Sequence, residues 1–132
     1  YYPSGDIKFS VEKILKEIQQ TYQFTANEFA LLKSSHADEF YRIFRYVGPD
    51  NFIEVRREEN LIWGIEPRNA QQEMVLNLLM DDSIQLVILN GPSGTGKTFM
   101  VLTAMVHKLL CTQTYQKLFQ LPFNLQALIA MN

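Results

Sequence analysis

The sequence is poor in the features that direct a protein out of the cell or into a membrane. It has one cysteine among 132 residues, so no disulfide can form within the chain and a reduced, cytoplasmic protein is expected. No apolar run approaches the length that crosses a bilayer, and no basic segment followed by an apolar one opens the chain. The formal net charge of −2 gives no general attraction for nucleic acid, which would need a local basic patch.

The composition, 47% hydrophobic and 20% charged, is enough for one modest core and an appendage. We expect the chain to divide near residues 63–67. In the first part, apolar residues at helical spacing behind Ser10, a candidate N-cap, predict an amphipathic helix; they are Val11, Ile14, Leu15 and Ile18. Residues 27–32 fit a strand or a helix, and we favour the strand. Residues 40–47 and 52–56 flank four turn-forming residues and predict a β-hairpin.

The predicted hairpin interleaves aromatic residues with arginines, a composition typical of surfaces that stack bases and neutralise phosphates. The arginines are Arg42, Arg45, Arg56 and Arg57. This pattern raises RNA or single-stranded DNA as a partner. The alternative is that the aromatics form a core, and it is favoured because Glu54, Glu58 and Glu59 neutralise much of the charge.

The second part of the chain opens on a predicted helix that starts at Asn69 and ends at residues 81–83. Its predicted apolar stripe consists of Met74, Val75, Leu78 and Leu79. Asn69 as N-cap and Gln72 three residues later fit a capping box. The Gln72 amide also matches the N6 donor and N7 acceptor of adenine, provided that the helix starts beside a bound nucleotide. Both interpretations of Gln72 stay open.

A glycine-rich loop follows the apolar run 84–89, which we predict to be a strand, and precedes a helical stretch. The loop has the pattern G-x-x-x-x-G-K-T and consists of Gly91, Pro92, Ser93, Gly94, Thr95, Gly96, Lys97 and Thr98. Such a loop, leading from a strand to a helix N-terminus, cradles polyphosphate with its backbone N–H groups. Lys97 is expected to contact the β- and γ-phosphates, and the Thr98 hydroxyl to ligate Mg²⁺. The alternative is a glycine-rich turn with a solvated lysine.

Together these segments resemble the PhoH-like family of ATPases. The resemblance rests on residues 63–72, residues 78–82, the predicted strand and residues 94–98. Pro92 and Ser93 differ from the Lys and Ala expected there. The resemblance implies a helicase-like P-loop domain that binds ATP and Mg²⁺ and acts on RNA, with residues 67–69 and Gln72 as the counterpart of an adenine-recognising motif. Residues 27–29 also resemble the segment that follows a PIN nuclease domain in longer members.

One element of a P-loop ATPase is missing from the sequence. No Asp or Glu follows Asp82, so the carboxylate that usually holds Mg²⁺ and orders the attacking water is absent, and we expect this chain alone not to hydrolyse ATP. We expect an incomplete α/β P-loop NTPase over residues 63–132, with a parallel sheet and flanking helices. A small α+β segment with a hairpin would precede it over residues 1–62. A truncation or a frame error near Phe119 would explain the sequence that follows.

An incomplete domain would depend on the remainder of the same protein or on a homo-oligomer to cover its apolar surface. Two other functions stay open: a P-loop nucleotide binder of another helicase or kinase branch, and a non-catalytic RNA-binding module with a vestigial loop. His36, His107 and Cys111 do not have the spacing of a metal site.

Overall fold

The computed structural model describes residues 7–34, 40–57, 66–92, 94, 96–111, 117–122 and 126–131. The elements are α1 (Ile7–Thr21), β1 (Phe29–Lys33), β2 (Tyr41–Gly48), β3 (Asn51–Val55), α2 (Ala70–Met80), α3 (Lys97–Leu110), β4 (Lys117–Pro122) and β5 (Gln126–Met131). They fall into two units, Tyr1–Arg56 and Arg57–Asn132. No helix in the described ranges is long and apolar enough to cross a membrane.

The first unit holds a three-stranded antiparallel sheet in the order β1-β2-β3. The predicted hairpin is confirmed, because β2 pairs with β3 across a turn in which Asp50 has φ 57°, a left-handed conformation that Asp tolerates. The favoured strand over residues 27–32 is confirmed as β1. The capping role predicted for Ser10 is wrong, because α1 already begins at Ile7.

The core of the first unit forms between α1 and one face of the sheet. Leu15 of α1 packs with Ala30 and Phe44, which lie opposite each other on β1 and β2. Half-buried apolar residues surround this cluster: Val11, Phe24, Leu32 and Phe52. The alternation of side chains along each strand places these sheet residues on one face, so the hairpin aromatics contribute to the core.

The core of the second unit lies between α2 and α3. Its buried members are Leu76, Leu79, Met100 and Ala104. The predicted stripe of α2 is only partly right: Leu79 is buried, but Leu76, which the stripe omitted, is more completely buried, and Met74 and Leu78 are half-buried. The buried face of α2 differs from the predicted stripe because it begins with Ala70 and Glu73 in the first turn and continues along the helix from them.

The predicted strand over residues 84–89 is wrong: this segment is neither helix nor strand. Val87 packs against the α2–α3 core, whereas Leu86 and Ile88 are 74% and 80% exposed. A strand is defined by pairing with a neighbour, and no described segment pairs with this one. All strand pairs among the described residues, including β4 with β5, are antiparallel, so the expected parallel sheet is not among them. The mixture of helices and strands is confirmed.

Candidate nucleotide-binding site

The start of α3 carries the backbone conformations that the loop sequence predicts. Gly94 and Gly96 both have φ 81°, a left-handed conformation that glycine adopts without strain. Gly96 immediately precedes the helix, and its carbonyl accepts the first helical hydrogen bond from the Met100 N–H at 3.0 Å. Because glycine has no side chain, α3 begins without a side-chain cap. The first-turn N–H groups and the helix dipole therefore favour an anion at this end.

Lys97 is bound to the loop that precedes it. Its Nζ donates to the carbonyl oxygens of Gly91 and Pro92, the latter at 2.6 Å. An ammonium group has three donors and no acceptor, so it draws these carbonyls together and curves the loop around itself. Thr98 follows in the first turn of α3 with an exposed side chain. Ser93 and Thr95 lie outside the described residues.

The N-terminus of α2 has the predicted reciprocal capping, with one difference. Asn69 Oδ1 accepts from the Gln72 N–H at 2.9 Å, which confirms Asn69 as the N-cap. Gln72 Oε1 accepts from the Arg68 N–H at 2.8 Å, one residue before the position of a standard capping box. The Gln72 side chain is thereby turned back over the start of its own helix.

This start of α2 lies beside the glycine loop. A Cβ placed on Gly96 would lie 3.7 Å from Gln72 Nε2, so the amide and the loop backbone are near neighbours. Both line an open cavity of about 400 Å³. Its lining comes from four stretches of the second unit: Glu66, Pro67 and Arg68; Gln72 and Leu76; Gly94 and Gly96; Phe99 and Met100. The start of α2 therefore lies beside the glycine loop, and the adenine role of Gln72 stays a prediction.

An ion pair that sequence analysis missed fixes the approach to α2. Glu73 is only 5% exposed, and its Oε1 lies 3.7 Å from Arg57 Nε. The same guanidinium donates from Nη2 to the carbonyl of Pro67. Arg57, which the sequence suggested for phosphate contact, instead joins the segment before α2 to its first turn. No signal in the sequence pointed to Glu73, because the predicted apolar stripe of α2 did not include the face on which it is buried.

Two of the hairpin arginines, Arg42 and Arg45, form their hydrogen bonds within the first unit. Arg42 donates from Nε and Nη2 to the two carboxylate oxygens of Glu54 at 2.7 and 2.9 Å, and its guanidinium lies 5.2 Å from the centre of the Phe44 ring. These hydrogen bonds hold the pKa of Glu54 below its ordinary value. Arg45 is buried and donates to Asn27 Oδ1. These arginines therefore stabilise the sheet through contacts within it, which favours the core interpretation of the hairpin over a phosphate-binding surface.

The hairpin aromatics pack on one another. Phe24 stacks on Tyr46 with ring centres 5.6 Å apart and meets Phe52 edge-on at 5.1 Å.

Other polar candidates add no site: within the described ranges, no three His, Cys, Asp or Glu residues are close enough to hold a metal ion. His107 is half-buried on α3 and Cys111 is exposed after it, whereas His36 lies outside the described residues.

Comparison with known proteins finds similar sequences for the segment that contains this site. The family model described as PhoH-like protein matches residues 64–121. Protein PhoH2 of Bacillus subtilis (strain 168) is 41% identical over 88 residues, which are 63% of this chain and 19% of that protein. Protein PhoH2 of Thermobispora bispora is 33% identical over 72 residues, covering 54% of this chain and 16% of the relative. No solved structure matches the chain significantly.

The chain is an α/β protein in which a glycine-rich loop opens a helix. More particularly, residues 64–121, less than half of the chain, are similar to the PhoH-like family. The resemblance found in the sequence is thus confirmed. The matched segment spans about a fifth of the length of the Bacillus relative.

Proposed function

We propose that this chain binds ATP together with Mg²⁺ at the glycine-rich loop, residues 91–98, which lies beside the cavity. In this proposal the backbone N–H groups of residues 91–96, apart from Pro92, which has none, surround the β- and γ-phosphates, Lys97 contributes the positive charge, and Thr98 ligates the metal. The observation that carries the proposal is the left-handed pair Gly94 and Gly96 leading into an uncapped helix N-terminus. The match of residues 64–121 to the PhoH-like family supports the same class of protein, a P-loop ATPase.

Adenine is the base that this proposal assigns to the cavity. Gln72 carries a donor and an acceptor on one planar group, which match the adjacent N6 and N7 positions of adenine. Its oxygen accepts a hydrogen bond from the Arg68 N–H. Because a carbonyl oxygen has two lone pairs, it can accept a second one from adenine N6. Asn69 contributes indirectly, because its cap holds the first turn of α2 in place beside the loop.

For the whole protein the proposal is ATP hydrolysis coupled to work on RNA, with residues 1–62 as an accessory segment and residues 63–132 as part of the ATPase domain. This extension rests on the family resemblance. The chain itself has no acidic residue after Asp82, so the carboxylate that orders the attacking water would have to come from elsewhere. RNA-stimulated phosphate release by the full-length protein, absent when Lys97 is replaced, is the corresponding measurement.

Binding is tested by titrating the chain with ATP and Mg²⁺ and following both heat and Tm. Ligand at a hundred times its Kd should stabilise the folded state by about 2.7 kcal/mol. Lys97→Met should abolish this gain, whereas Lys16→Met, which removes the same charge from an exposed position of α1, should leave it intact. Absence of ATP affinity in the folded wild-type chain would overturn the proposal.

A further inference from the structure

Phe99 lines the cavity while remaining largely open to solvent. It is 59% exposed, although it lies in the first turn of a helix whose next residue, Met100, is buried in the core. Burying an aromatic ring is strongly favourable, so a phenylalanine left exposed at the wall of a cavity is a candidate surface for a ligand. The other exposed apolar residues of α3, Leu102 and Leu110, do not line the cavity.

The position of Phe99 along α3 relates it to both ends of a nucleotide. It is the third residue of the helix, directly after Lys97 and Thr98, so its backbone belongs to the turn assigned to the phosphates. Phe99 lines the same cavity as Gln72, which belongs to the first turn of α2. A nucleotide with its phosphates at the start of α3 would therefore have its base within the space that Phe99 and Gln72 share.

We infer that Phe99 is a base-binding residue whose ring stacks on the face of the bound nucleobase. This inference rests on the proposed function and adds to it a second, chemically distinct contact. The Gln72 amide would form hydrogen bonds to the edge of the base, in the plane of the base. Phe99 would stack on the face of the base, above or below that plane. Stacking accepts any base, so Phe99 provides affinity and Gln72 provides the choice of adenine.

The test separates contacts to the base from contacts to the phosphates. Affinities for ATP and for inorganic tripolyphosphate, both with Mg²⁺, are measured on the wild-type chain and on Phe99→Ala. Stacking on an aromatic residue is worth enough to predict that Phe99→Ala weakens ATP binding about tenfold and leaves tripolyphosphate binding unchanged. Phe99→Tyr should restore ATP affinity. Leu102→Ala, one turn further along α3 and outside the cavity, is the matched control and should bind ATP like the wild type.

The outcomes distinguish this inference from the proposed function. If the folded wild-type chain binds neither ATP nor tripolyphosphate, the phosphate site itself fails. If it binds both but Phe99→Ala weakens both equally, or neither, the phosphate site stands and the stacking role is wrong. A wild-type chain that binds tripolyphosphate as tightly as ATP also overturns it, because the base then contributes nothing. Because Phe99 is exposed, Phe99→Ala should keep the fold, and the Tm of the variant checks this directly.

Discussion

Lys108 and Asp82 join the ends of the two helices that form the second core: Lys108 Nζ lies 2.9 Å from Asp82 Oδ1. Lys108 is only 2% exposed and belongs to the last turn of α3, whereas Asp82 follows the end of α2 and is largely exposed. A buried ammonium loses most of its hydration and depends on its polar partners for compensation. The exposed carboxylate thus stabilises a charge in the core at little cost to itself.

The two residues of this pair should respond differently to substitution. Asp82→Asn should lower the free energy of unfolding by about 1–2 kcal/mol, because the buried ammonium loses an ionic partner. Lys108→Met should cost less, since an apolar side chain of similar length removes the charge together with its need for a partner. Urea unfolding of both variants tests this order, with Glu66→Gln as a control for the loss of one negative charge. Equal losses for the two variants would contradict it.

Thr98 should govern the magnesium dependence of ATP binding. Thr98→Val keeps the branched shape but removes the hydroxyl, so we expect ATP affinity in Mg²⁺ to fall on the order of tenfold, as for other lost metal contacts. In EDTA the variant and the wild type should bind alike. Thr98→Ser retains the hydroxyl and should behave as the wild type in a calorimetric titration. A similar loss with and without Mg²⁺ would remove Thr98 from the metal site.

Gln72 should control the preference for ATP over GTP. Gln72→Leu removes the amide, and the ratio of the two affinities should fall about tenfold, the lower part of the range for a bidentate base contact. Gln71→Leu is the control, because it removes the same amide from an exposed neighbouring position that does not line the cavity and should leave the ratio unchanged. An unchanged ratio in Gln72→Leu would reduce the residue to its capping role.

Glu28 should make the first unit sensitive to acid. Its carboxylate accepts from the Thr25 N–H at 2.6 Å and from the Tyr22 hydroxyl at 2.9 Å, and these bonds, the backbone one above all, lower the pKa of Glu28. Because the folded-state pKa lies below the unfolded one, the stabilisation is present above the ordinary Glu range near pH 4.3 and is lost as pH falls through the lowered value.

The measurement is the urea midpoint of the wild type and of Glu28→Gln between pH 7 and pH 3. The gap between them should close as the pH falls, while Glu12→Gln, at an exposed position of α1, controls for the loss of charge. A gap that stays constant with pH would show that ionisation of Glu28 is not involved.

The Arg42–Glu54 pair should contribute to stability and not to RNA binding. A double-mutant cycle with Arg42→Gln and Glu54→Gln should give a coupling energy of about 0.5–1 kcal/mol, as expected for a partly exposed bidentate pair. Affinity for single-stranded RNA should be the same in Arg42→Gln and the wild type. A loss of RNA affinity without a loss of stability would restore the nucleic-acid interpretation of the hairpin.

Local patterns were sufficient to predict several elements of the fold. The hairpin follows from β-forming residues around Gly48, Pro49 and Asp50, and α2 follows from its N-cap at Asn69. Both depend on residues that are close in sequence. The segment at residues 84–89 shows the limit of such patterns, because its apolar composition favours a strand but pairing depends on another part of the chain.

The candidate site was predictable in its residues and not in its surroundings. The glycine pattern indicates where the backbone turns before α3, but nothing local indicates that Gln72 comes close to Gly96 or that Phe99 is left exposed. Both depend on how α2 packs against α3. The link from Arg57 to Glu73 is hidden for a different reason: a buried carboxylate in a helix looks like a surface residue until its partner is placed.

The contacts of Lys97 with Gly91 and Pro92 have a thermodynamic consequence. When the ammonium turns to a phosphate, it exchanges these two hydrogen bonds for new ones, and the released carbonyls turn to solvent. The contribution of Lys97 to the heat of association is then only the difference between two sets of strong hydrogen bonds. A small enthalpy from this lysine is compatible with tight complex formation, because water released from the anion and the protein supplies a favourable entropy.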